Sequence, residues 1–162
     1  MDYNRLVRDL GPYDRESFLQ ALEEDFTIGV KGPEPCRPCA GGNFSMYLEG
    51  CWYSLALREG RWERTGCLDC LDVSILSSLV LDKLLGIKDL RTDRRIDFVG
   101  GIRGLEELQS RVDSGEMKVA FALHPVSMQQ LVEIADNGAI MPPKTTWFEP
   151  KLRSGLAIHS LE

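Results

Sequence analysis

The chain has 162 residues, 19 of them Lys or Arg and 25 Asp or Glu, a net charge of −6 at neutral pH. That length gives one domain enough volume for a core, and 43% hydrophobic with 27% charged residues is a globular composition, not a disordered one. An acidic balance argues against nucleic acid or an anionic membrane as partner, because both demand a basic surface. No apolar run reaches the roughly 20 residues of a membrane helix. The start, Met1-Asp2-Tyr3-Asn4-Arg5, lacks the basic-then-apolar pattern of a secretion signal, so the cytoplasm is the expected location.

In chain order, Asp14 caps a predicted helix reaching about Glu24, with Phe18, Ala21 and Leu22 inward. Phe26 to Val30 reads as a strand. Lys31 to Gly42, rich in Pro and Gly, reads as a loop. Phe44–Leu48 and Trp52–Leu57, joined by Glu49-Gly50, read as a β-hairpin. A long helix follows, with Asp72 as its N-cap and Gly86 just past its end.

Ile96 to Val99 predicts a strand ending at Gly100-Gly101, and Leu105, Leu108 and Val112 recur at helical spacing. Lys118 to Leu123 predicts another strand. Its small residues Ala120 and Ala122 leave room for a closely packed helix on one face. Ser127 to Gln130 forms a capping box for a helix that stops at Asn137-Gly138. The tail, Thr145 to Phe148 and Leu156 to Ile158, reads as extended. The expectation is an α+β fold: one domain over 1–162, a mixed β-sheet with a β-hairpin, and about four helices.

Two features carry candidate chemistry. Pro142-Pro143 stiffens the approach to Lys144-Thr145-Thr146, with Lys151 and Arg153 beyond. An ammonium beside hydroxyl donors suits a phosphate, and the competing reading is a rigid strand start with solvated lysines. The second feature is a pair of C-x-x-C motifs, Cys36/Cys39 and Cys67/Cys70, flanking the hairpin. Four thiolates satisfy tetrahedral zinc if the hairpin brings both pairs to its base, with Cys51 excluded at the far end. The competing readings are unligated thiols and redox work. Gly100-Gly101 offers weak support for an anion site. His124 and His159 read as structural or exposed, and Lys88 to Arg103 as a solvated turn with local ion pairs.

Three blocks carry a family resemblance: Leu71 to Leu76, Arg95 to Gly101 and, most specifically, Met141-Pro142-Pro143-Lys144-Thr145-Thr146-Trp147-Phe148-Glu149-Pro150-Lys151-Leu152. Asn4-Arg5 and the hairpin residues Met46-Tyr47-Leu48 and Trp52-Tyr53 fit as well. Together they resemble the C-terminal part of the bacterial and archaeal domain-of-unknown-function family 1015.

Longer members of that family carry a Gly-His-His-Arg-like motif, similar to those of ParB-like nucleotide-hydrolysing domains and free-serine kinases. This sequence has no such pair of histidines. The resemblance therefore implies a C-terminal half, inactive alone, that belongs to an ATP/ADP-dependent small-molecule kinase. Nucleotide would bind only with an N-terminal companion module, and either that module or a second copy would cover surface left bare. The alternative is a non-enzymatic interaction domain stabilised by zinc.

Overall fold

The structure, a computed structural model, describes residues 2–146. Its strands are β1 (Tyr3–Val7), β2 (Phe26–Gly32), β3 (Asn43–Leu48), β4 (Cys51–Leu57), β5 (Ile96–Gly100) and β6 (Val119–Ala122). The helices are α1 (Arg15–Leu22), α2 (Asp72–Leu76) with a π-helical continuation over Ser77–Asp82, α3 (Gly104–Asp113) and α4 (Met128–Asp136). The α+β architecture, the hairpin and the four helices match the expectation.

The sheet differs from it in one respect. Its order is β2-β4-β3-β6-β1-β5, and every neighbouring pair is antiparallel, so it is not mixed. β1 was hidden in the sequence because Tyr3-Asn4-Arg5 breaks the apolar pattern, yet it pairs with both β5 and β6.

Each strand sends alternate side chains to opposite faces. One face carries Val7, Met46, Tyr53, Val119 and Phe121 into the larger core, shared with Phe18, Leu22, Ile75, Leu76, Val80 and Ile134 from the helices. The other face carries Leu6, Tyr47, Trp52, Ala120 and Ala122, and α3 covers it with Leu105, Leu108 and Val112. The two alanines let α3 sit close to β6, as their size predicts. Burial of each large side chain on α3 contributes about 2 kcal/mol.

Local signals explain the termini. Asp14 caps α1 through the Ser17 amide, and Ser127 caps α4 through the Gln130 amide; both are reciprocal capping boxes. The hairpin turn has Glu49 and Gly50 both in the left-handed region, at φ 48° and 80°, which matches the right-handed twist of the flanking strands.

Asp72 corrects the sequence reading. Leu71 is the N-cap and Asp72 the first helical residue. Its carboxylate turns away from the helix to accept the Gly42 amide at 2.7 Å. The long helix expected to Gly86 opens into the wider π-turn after Leu76, although Gly86 does close it with a positive φ of 65°.

Candidate functional site

Arg5 lies mid-strand on the larger-core face of the sheet, directly opposite Phe98 of β5. Its side chain is completely buried. The guanidinium carbon sits 4.8 Å from the Phe98 ring centre and 6.0 Å from that of Tyr3, while the two rings meet edge to face at 6.2 Å. Such rings attract a cation through their negative faces.

Nη1 donates to the Tyr3 carbonyl at 2.6 Å and Nη2 to the Lys144 carbonyl at 2.8 Å, whereas Nε, also buried, has no hydrogen-bond partner among the described residues. Among the described residues no carboxylate pairs with this guanidinium. Burial pulls its pKa down to about 9, against a weaker upward pull from Tyr3. It therefore keeps its charge at neutral pH, and a buried cation without a counter-charge is costly.

The contact to Lys144 joins the first strand to the segment that sequence analysis singled out. Lys144 is exposed and holds φ at 57°, a left-handed backbone that a residue with a Cβ adopts at a cost of about 1 kcal/mol. Its ammonium lies 5.6 Å from the Tyr3 ring centre. Arg5 and Lys144 thus both approach the Tyr3 ring.

Thr145 is buried, and its hydroxyl donates back to the Pro142 carbonyl, which occupies its proton. Thr146 is half-buried and makes no side-chain hydrogen bond with another described residue. Lys151 and Arg153 lie outside the described residues, as do Trp147, His159 and most of the expected extended tail.

Arg5 is the residue that sequence reasoning missed. The available signal was an arginine directly before the apolar pair Leu6-Val7.

The cysteines are not brought together. Cys36 packs against the cluster on the α3 face, while Cys67 packs against the larger core on the opposite face. Among the described residues no three His, Cys, Asp or Glu side chains are placed to hold a metal ion. With Cys36 and Cys67 against opposite faces of the sheet, the expected site of Cys36, Cys39, Cys67 and Cys70 is not assembled among the described residues.

Gly100-Gly101 does not cradle an anion either. A Cβ on Gly101 would fall 1.9 Å from a carboxylate oxygen of Asp2, so an acid fills that space. His124 does have an acidic neighbour. Burial raises the Asp72 pKa, and the Gly42 amide and the charges of His124 and Arg64 oppose that rise.

Residues 1–74 match the model of the DUF1015 family, described as a protein of unknown function. Over those residues the chain is similar to that family. The DUF1015 segment holds Tyr3, Arg5, the hairpin and Asp72, while Lys144 lies beyond it.

Among solved structures, a conserved hypothetical protein from Pyrococcus furiosus aligns with a TM-score of 0.51 at 14% identity, over 90% of this chain and 53% of that one. A mutant free serine kinase in complex with AMP aligns at 0.48 and 15% identity, over 89% and 51%. The chain spans about half the length of these structures. No curated protein matches it. At such identities the likeness to the Pyrococcus furiosus protein is one of fold.

Proposed function

We propose that this chain is the phosphate-binding half of a phosphotransferase-like protein, with the anion held at the Tyr3 ring that Arg5 and Lys144 both approach. The observation that carries the reading is the fully buried Arg5 guanidinium, which has no acidic partner among the described residues. A phosphate supplies the missing counter-charge and accepts planar guanidinium donors well. Lys144 adds a mobile point charge, and its strained backbone fits a residue held for function rather than for stability.

Thr146 is the hydroxyl left free to donate, with Lys151 and Arg153 as outer cations. Thr145 serves instead to close the turn onto Pro142. The catalytic base and the nucleotide come from a companion module or a second copy, so the chain alone binds without turning over.

The test is isothermal titration of the full chain with inorganic phosphate and with AMP, beside the Lys144→Ala variant. Phosphate should bind, and the variant should lose about tenfold in affinity, the value of one charge-assisted contact, with its melting temperature kept. Absence of binding by both probes, or equal affinity in Lys144→Ala, would overturn the reading.

A further inference from the structure

A cleft of about 440 Å³ opens beside the α2 and π-helical segment. One wall presents Ser74, Ser77 and Ser78, which share a side of that segment at helical spacing. Another is the indole of Trp62, fixed by donating its Nε1–H to the Asp69 carbonyl at 2.7 Å. Asp82 and Lys88 stand at the rim, both exposed. The three hydroxyls, the Asp82 carboxylate and the Lys88 ammonium make no side-chain hydrogen bond or ion pair with another described residue. Five polar groups therefore face one cleft unspent, next to an ordered aromatic surface.

The chemistry of these groups selects an occupant. Hydroxyls donate and accept, a carboxylate only accepts, and an ammonium only donates. A matching ligand offers closely spaced groups that do both, and an apolar ring or chain face for the indole. Polyhydroxylated molecules have this pattern. A phosphate dianion does not, because the lining carries Asp69, Asp82 and Asp89 against Lys88 and Arg91. The volume falls within the range of small-molecule sites. We propose that this cleft binds a neutral sugar or polyol of monosaccharide size; Pro142 and Pro143, which lead into Lys144, form part of its wall, but the proposal does not rest on the phosphate reading.

The test uses the full chain, with D-ribose and xylitol as probes, followed by tryptophan fluorescence and saturation-transfer NMR. Saturable binding of at least one probe is expected. Asp82→Asn, which keeps volume and removes charge, should weaken it about tenfold, and Ser77→Ala should weaken it by a smaller factor. Ribose 5-phosphate should bind more weakly than D-ribose, and added inorganic phosphate should not compete. Absence of saturable binding by either probe would overturn the proposal. So would affinities unchanged in both variants whose circular dichroism and melting match the parent, or tighter binding of ribose 5-phosphate.

Discussion

Two buried charges in this protein are treated in opposite ways. Asp25, whose side chain is 4% exposed, accepts from Arg61 at 2.9 Å and from Lys83 at 2.7 Å, and Glu24 shares both cations. The cluster ties the end of α1 to the segment after β4 and to the turn that follows the π-helix. Arg5 is buried at least as deeply and has no acid beside it among the described residues. The first is a balanced network that holds elements together. The second is an imbalance that the fold tolerates, and such imbalance marks a place where an external anion changes the energy most.

The comparison breaks first at Asp25. Asp25→Ala removes the buried carboxylate and leaves Arg61 and Lys83 with Glu24 alone, and urea denaturation should show a loss of about 2 kcal/mol. Arg5→Leu should move the other way. It removes an uncompensated buried charge, so stability should hold or rise by about 1 kcal/mol, while phosphate binding disappears in the same preparation. A large loss of stability in Arg5→Leu would make the arginine structural and erase the contrast. Lys144→Gly relieves the left-handed strain and should raise stability by about 0.5–1 kcal/mol at the expense of affinity for phosphate.

Titration sharpens the same contrast. The Lys83 and Arg61 contacts hold the Glu24 carboxyl below its usual range, Arg95 does so for Asp93, and Arg111 for Glu116. Each depressed carboxylate stabilises the fold above its unfolded pKa, and that contribution fades as pH falls through the folded value. A melting profile should therefore decline on the acid side. Arg5 has the opposite sign. Its folded pKa of about 9 lies below the ordinary arginine value, so the folded chain sheds that proton first and the destabilisation eases as pH rises above about 9. The smallest expected effect is that of a chelator. With the two C-x-x-C pairs on opposite faces of the sheet, EDTA should leave the melting temperature unchanged, and a stoichiometric zinc content would contradict this geometry.

Much of the fold was legible because its signals are local. The capping boxes at Asp14 and Ser127, the Glu49-Gly50 turn and the small face of β6 each act within a few residues, and each formed where the residue types required. The candidate site was only half legible. Lys144 stood out through its neighbours in sequence, whereas Arg5 gains its meaning from a carbonyl 139 residues away and from rings on its own and a neighbouring strand. Asp72 shows the same limit. Its place at a helix start suggested a cap, and a loop 30 residues earlier took the carboxylate instead.

The sequence by itself determined which segments are helix, hairpin and turn, and that the chain has an acidic surface and an apolar core, because propensity, capping and periodicity are properties of neighbouring residues. Only the tertiary structure decided that the sheet is wholly antiparallel, that the cysteine pairs part across it, and that Arg5 meets Lys144. Those outcomes depend on strand order and register, which are set by the packing of the whole chain and leave no mark in any short stretch of it.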